Sequence, residues 1–247
     1  MIQSKEILDI YRKFWADYNR SYGTEGFNVS DLPEELRECL DKYHKLHPKS
    51  CTPAVIRELY VEYLKAIEPD FVADDRCSPT IDLICQRVAR SADFNQQSNT
   101  YSLEKGIVLL GGIGSGKTLL MRGLVKLYGF FDYSLTILPT YKLTEVFQKD
   151  GVKVYGSFLN SDLKDVRPTT DNLILDDMGA ETVVSHFGQV SNVVSEVLLR
   201  RYDEAQITFG TSNLDQKTLR NYYGERVWSR MKSMFNFIEL KGDDRRK

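Results

Sequence analysis

Apolar side chains recur at three- and four-residue spacing through residues 1–92 and then give way to short continuous runs. Ile7, Ile10, Tyr11, Phe14, Trp15 and Tyr18 form one helical stripe, stopped by Gly23 and Gly26. A second helix is predicted from Pro33 through Leu36 and Leu40 to about Leu46. A third starts at Thr52-Pro53 and puts Ile56, Leu59, Tyr60, Tyr63, Leu64 and Ile67 on one side; a fourth starts at Ser78-Pro79 with Ile81, Ile84, Cys85 and Val88. In the last two, proline stands in the first turn, where its missing N–H would have no intrahelical partner anyway. This region reads as a small all-helical domain.

Residues 93–105 are polar and without period, and read as a linker. Beyond them the pattern changes. Strands are predicted at 107–110, 134–138, 172–175, 207–211 and 235–240, with helical stretches at 118–127, 141–149 and 190–203. Strands alternating with helices imply an α/β fold, a parallel sheet flanked by helices on both faces. The expected organisation is therefore a helical N-terminal domain (1–92), a linker (93–105) and an α/β domain (106–247). The end, Asp243-Asp244-Arg245-Arg246-Lys247, reads as a frayed tail.

Composition narrows the classes. With 247 residues, 42% hydrophobic and 28% charged, the chain can bury a full core without disulfides or metals. Its longest aliphatic runs fall far short of a membrane span. Met1-Ile2-Gln3-Ser4-Lys5-Glu6 lacks the basic and apolar segments of a secretory signal, so the expected location is the cytoplasm, with no membrane partner. The four cysteines, Cys39, Cys51, Cys77 and Cys85, are then thiols. His44 and His47 lie near Cys39 and Cys51, but the spacing of Cys77 and Cys85 is not that of a paired zinc knuckle; buried thiols are the simpler reading. A net charge of −2 argues against a protein that coats nucleic acid with its whole surface, and leaves room for a local basic track.

The chemistry begins at Gly111-Gly112-Ile113-Gly114-Ser115-Gly116-Lys117-Thr118, which fits G-x-x-x-x-G-K-[ST] and sits between a predicted strand and a predicted helix. Backbone N–H groups must close on a polyphosphate there, and small residues allow that approach. Gly111 to Leu119 would line the nucleotide. Lys117 would reach the outer phosphates, the helix dipole would add to the attraction, and the Thr118 hydroxyl would hold Mg²⁺. This is a P-loop NTPase signature.

Asn172-Leu173-Ile174-Leu175-Asp176-Asp177 is an apolar strand ending in two carboxylates, which a parallel sheet would deliver to the same edge as the loop. Asp176 is the candidate Mg²⁺ ligand and Asp177 the candidate for polarising water, with Glu181 placed to support either. The alternative is a pair of solvated acids capping a strand. Asn213 follows the strand at 207–211 and is suited either to sense the terminal phosphate or to cap the helix after it. Arg226 and Arg230, four residues apart, share a helix face; either could supply charge to a neighbouring subunit's site, or form a surface ion pair with an acid such as Glu225. No Asn-Lys-x-Asp guanine-reading segment occurs, so ATP with Mg²⁺ is the expected ligand.

Taken in order, Gly-x-Gly-Ser-Gly-Lys-Thr, Leu-Asp-Asp-Met-Gly-Ala-Glu, Thr-Ser-Asn-Leu and Gly-Glu-Arg-Val-x-x-Arg-Met, these motifs make residues 100–240 resemble the AAA+ ATPase domain of DnaC/DnaI-type bacterial helicase loaders. IstB-like transposition helper ATPases share much of the signature. The resemblance implies an ATPase that self-associates, binds single-stranded DNA, and delivers a replicative helicase gripped through its N-terminal region. The alternative it leaves is an ATPase that binds double-stranded target DNA for a transposase. It also implies the roles of Lys117 and Thr118 in the loop, Asp176 and Asp177 as metal and water acids, Asn213 as sensor, and Arg226 or Arg230 as the trans-acting arginine. A small-molecule kinase using the same loop is disfavoured, because the late arginines follow a sensor-like Asn. For DNA, Lys142, Lys149, Lys153 and Lys164 interleave with Tyr141, Phe147, Tyr155 and Phe158. That pattern suits phosphate contact and base stacking, or equally a solvated helix face whose aromatics pack on the sheet.

Overall fold

The computed structural model describes residues 48–131, 133–151, 172–186, 189–242 and 244. The helices expected over 7–18 and 33–46 lie outside them. After a turn of 3₁₀ helix (Pro48–Ser50), the described elements run α1 (Pro53–Ile67), α2 (Ser78–Val88), α3 (Asp93–Gln96), β1 (Gly106–Leu110), α4 (Lys117–Phe130), β2 (Leu135–Pro139), α5 (Thr140–Asp150) and β3 (Asn172–Asp176). They continue as β4 (Val184–His186), β5 (Gln189–Ser191), α6 (Val193–Asp203), β6 (Thr208–Ser212), α7 (Gln216–Met234) and β7 (Phe235–Glu239). Among the described residues no helix is long and apolar enough to cross a membrane.

Among the described residues five strands form a parallel sheet in the order β2-β3-β6-β1-β7. All five residues of β1 and of β6 are buried, as strands covered on both faces require. Side chains alternate along β1. Ile107 and Leu109 enter a core with Leu59, Ile81, Leu120 and Leu124 of the helices on one face, while Val108 and Leu110 join Leu143, Val197 and Met231 on the other. Register brings the strand ends level: Leu110 pairs with Ser212 of β6 and with Glu239 of β7, and Pro139 with Asp176. Whatever follows β1, β2, β3, β6 and β7 therefore emerges at one edge.

The sequence places a domain boundary at 93–105, and the structure carries packing across it. Helices α1 and α2 share a single hydrophobic cluster with β1 and α4. Gly123 of α4 permits this: a Cβ there would lie 2.6 Å from Leu64 Cδ2 and 2.9 Å from Tyr60 Cε2 of α1. The Tyr60 hydroxyl then donates to the Leu120 carbonyl at 2.6 Å. Residues 93–105 are correspondingly not a free linker. Phe94 is fully buried and stacked on Tyr101, and the buried Asn236 side chain of β7 accepts from Ser102 N–H at 2.8 Å and donates to the carbonyls of Ser102 and Gly106. Two aromatic anchors in a polar string are enough to fix it. The helix expected at 190–203 starts later, at Val193, capped by the Asn192 side chain on Ser195 N–H. Residues 189–191 instead pair with 184–186 as the antiparallel ribbon β4–β5.

Candidate functional site

The loop between β1 and α4 turns through two left-handed glycines, Gly114 at φ 75° and Gly116 at φ 99°, a conformation that glycine adopts without steric penalty. The first bond of the helical ladder runs from Leu120 N–H to Gly116 O, so the amides before it face the loop, as at any helix start. Ile113 at the tip is exposed, whereas Leu119 packs on the core. The Lys117 ammonium is buried in its own loop. It donates to Gly111 O and Gly112 O at 2.7 Å each, to Ser115 Oγ at 3.3 Å and to Asn213 Oδ1 at 2.8 Å.

Thr118, the next residue, donates its hydroxyl to Asp176 Oδ1 at 3.0 Å. Asp176 ends β3 and is 7% exposed. Thr211 of β6 also donates to Asp176 Oδ1, at 2.7 Å, and accepts the Asp177 N–H at 2.8 Å. Asp177 breaks the strand with φ 61°, and its carbonyl accepts from the buried Thr140 hydroxyl at 2.9 Å. Its carboxylate lies 3.4 Å from Asn213 Nδ2. Lys117, Thr118, Asp176, Asp177 and Asn213, drawn from three separate stretches of sequence, thus meet at one sheet edge. Asp176 is not a solvated cap. Nor is Asn213 a helix cap: Asp215 caps α7, accepting from Thr218 N–H at 2.7 Å.

Glu181 departs from the expected role of supporting either acid. It is buried, accepts from Gly179 N–H at 2.8 Å and from the Tyr223 hydroxyl at 2.7 Å, and its carbonyl accepts from the Tyr222 hydroxyl. It fastens the segment after Asp177 to α7. Burial, and then the Glu181 charge, push the Tyr223 phenol well above its ordinary range, so it stays a donor.

Arg226 and Arg230 lie on α7 beyond Gly224, whose φ of 76° and ψ of 165° interrupt the helix. Arg226 is exposed; Arg230 is half-buried, its guanidinium 5.8 Å from the centre of the Tyr202 ring. Among the described residues neither bonds to the loop or to the two acids. Glu225 pairs with Arg220 at 2.6 Å instead. Of the basic track, Lys142, Lys149 and Tyr141 are exposed on α5 while Phe147 is fully buried; Lys153, Tyr155, Phe158 and Lys164 lie outside the described residues. Cys77 and Cys85 are buried thiols in the α1–α2 core, Cys51 is partly exposed, and Cys39, His44 and His47 lie outside the described residues. Burial raises the Cys85 thiol far out of the reactive range. Of the tail read as frayed only Asp244 is among the described residues; its carboxylate lies against Gly114, where a Cβ would collide with it.

Thr140 and Tyr223 carry no motif and escape a reading of the sequence. Thr211 opens the Thr-Ser-Asn-Leu motif, but nothing in the motif gives its hydroxyl a role.

The chain matches no protein-family model and no curated protein sequence. Among solved structures it is similar to the DnaC helicase loader, with 21% identity, 73% of this chain and 99% of that chain covered, and a TM-score of 0.51. It is equally similar to DnaI, with 23% identity, coverage of 75% and 93%, and a TM-score of 0.51. The fold of this chain, a parallel sheet flanked by helices, is that of the DnaC helicase loader and DnaI.

Proposed function

We propose that this chain is a Mg²⁺-dependent ATPase that works as a helicase loader, binding ATP and single-stranded DNA and delivering a replicative helicase. The observation that carries the reading is the meeting of Lys117, Thr118, Asp176, Asp177 and Asn213 at the edge where the phosphate loop opens. The donor set also fits the metal. A threonine hydroxyl and a carboxylate oxygen 3.0 Å apart at the start of α4 are hard oxygen ligands of the type Mg²⁺ takes beside phosphates. Bound there, it would neutralise charge on the phosphate oxygens.

In this reading the loop amides and the start of α4 hold the phosphates, and Lys117 exchanges the carbonyls of Gly111 and Gly112 for phosphate oxygens. Asp177 accepts a hydrogen bond from the attacking water and orients it toward the terminal phosphate. Asn213, already bridging Lys117 and Asp177, reports whether that phosphate is present. Arg226 or Arg230 completes the charge on a neighbouring copy's site, which would explain why neither reaches its own. The loader assignment rests on similarity to the DnaC structure over nearly the whole of that chain. Contact with single-stranded DNA is assigned to the exposed α5 face bearing Tyr141, Lys142 and Lys149.

The test uses the full chain, tagged, with a non-hydrolysable ATP analogue or with ADP, and identifies the proteins retained. Recovery of the replicative helicase, stronger with the ATP analogue, is the expected result. Recovery of a transposase without helicase would move the ATPase to target-site selection, and transfer of phosphate to a metabolite would overturn the loader reading.

A further inference from the structure

Asp176 and Asp177 are neighbours in sequence, yet the mechanism gives them different work at one edge. Had β3 continued, successive side chains would point to opposite faces of the sheet. The left-handed backbone of Asp177 prevents this and keeps both carboxylates at the edge. That conformation is disfavoured for a residue with a Cβ and persists only where neighbours fix it.

Thr140 holds it at the carbonyl, and on the N–H side what fixes it is the hydroxyl of Thr211, wholly buried on β6. A hydroxyl has one proton to give and lone pairs to receive. The Asp177 N–H can only donate, so it takes a lone pair at 2.8 Å; the hydroxyl proton is left for Asp176 Oδ1 at 2.7 Å. One oxygen thus sets the direction of the metal-side carboxylate and the peptide of the water-side acid. The Thr211 carbonyl accepts from Met178 N–H at 2.8 Å, so a single residue of β6 holds three consecutive residues, 176–178. Asn213 follows two positions later, so the water-side acid and its sensor are set by one short stretch.

We propose that Thr211 is a positioning residue that orients Asp176 toward the metal and Asp177 toward water. This rests on the ATPase reading above. It acts through the two acids and does not itself touch nucleotide.

Thr211→Val keeps the shape and removes the hydroxyl; Thr211→Ser restores it. Binding of a fluorescent non-hydrolysable ATP analogue is measured for the full chain with Mg²⁺ and with EDTA, and ATP turnover alongside. In Thr211→Val the affinity in EDTA stays within about twofold of the parent, while the tightening produced by Mg²⁺ shrinks about tenfold, the effect of losing one hydrogen bond to a charged group. Turnover falls through kcat more than KM, and Thr211→Ser recovers most of both. A valine variant with the parent's response to Mg²⁺ would overturn the proposal, as would equal loss of affinity in EDTA and in Mg²⁺. Melting without nucleotide checks folding; should valine not be tolerated, Thr211→Cys, which keeps the volume with a weak donor, supports or overturns the proposal by the same comparison. A parent chain that binds no ATP analogue in either condition would instead sink the ATPase reading itself.

Discussion

Replacing Glu181 separates its fastening role from the chemistry nearby. In Glu181→Ala the Gly179 N–H and the Tyr223 hydroxyl, joined to it at 2.8 and 2.7 Å, lose their acceptor in a site that is 4% exposed at Glu181 and 7% at Tyr223. A buried donor left without a partner costs about 1–3 kcal/mol. Two such donors, relieved in part by water entering the space the side chain leaves, put the loss at about 3 kcal/mol. Glu181→Gln keeps an acceptor for Gly179 and offers an N–H to the Tyr223 oxygen, so only the Tyr223 O–H loses its acceptor and the loss should be about half as large, about 1–2 kcal/mol. Urea denaturation of the two variants and the parent, compared at constant slope, measures the difference directly. For a chain of this size about 3 kcal/mol lowers the melting temperature by about 6–12 °C. Lys117, Thr118 and Asp176 keep their own partners, so the folded alanine variant should bind the ATP analogue within about threefold of the parent. An alanine variant as stable as the glutamine variant would refute the burial argument. A stable variant with lost nucleotide affinity would return Glu181 to the site.

Three further outcomes follow from the same geometry. Lys117→Ala should weaken binding of the fluorescent ATP analogue by at least about a hundredfold, the loss of a charge-assisted contact in a buried loop; affinity within about threefold of the parent would remove the lysine from phosphate binding. Asp244→Asn should tighten that binding a few-fold, roughly the worth of one exposed like charge beside an anion site, and the gain should fade in high salt; an unchanged affinity at low salt would make the tail contact incidental. Tyr60, its phenol raised well above 10 chiefly by burial and next by Cys85 and Cys77, should make stability alkaline-sensitive. The folded value lies above the unfolded one, so its contribution is complete below pH about 10 and is lost as pH rises beyond that. Urea midpoints from pH 8 to 11 should therefore fall more steeply for the parent than for Tyr60→Phe, and parallel curves would contradict the assignment.

How much of the fold and site is legible in the sequence depends on how far apart in the chain the cooperating atoms lie. The loop 111–118 specifies its own turn, because its glycines, its lysine and the start of α4 are consecutive. The acids and Asn213 are legible as strand-end residues, and all five predicted strands of the sheet form. Residues 93–105 read as a linker because composition reports the polar majority, whereas Phe94 and Tyr101 decide the packing. The ribbon β4–β5 escapes notice because its two strands are three residues each, too short to show a period. Glu181 is misplaced by proximity: counting residues from Asp177 takes no account of Tyr223, 42 positions away from Glu181, which supplies its hydrogen-bond partner.

The edge of the sheet explains this division. In a parallel sheet the carboxyl ends of the strands face one way, so any motif read as strand followed by polar residue is delivered to the ligand side without knowledge of strand order. Lys117, Asp176, Asp177 and Asn213 all qualify. Thr211 does not, because it lies within β6, and its hydroxyl reaches Asp176 only because β6 stands between β1 and β3. Strand order is fixed by the packing of the whole domain. A role that depends on which strand is the neighbour is therefore not legible even where the residue, like Thr211, lies inside a motif. Thr140 obeys the same logic: it follows β2, and β2 lies beside β3, so its hydroxyl meets the Asp177 carbonyl. The candidate residues for the chemistry are encoded locally, and those that hold them at their angle are encoded by the topology.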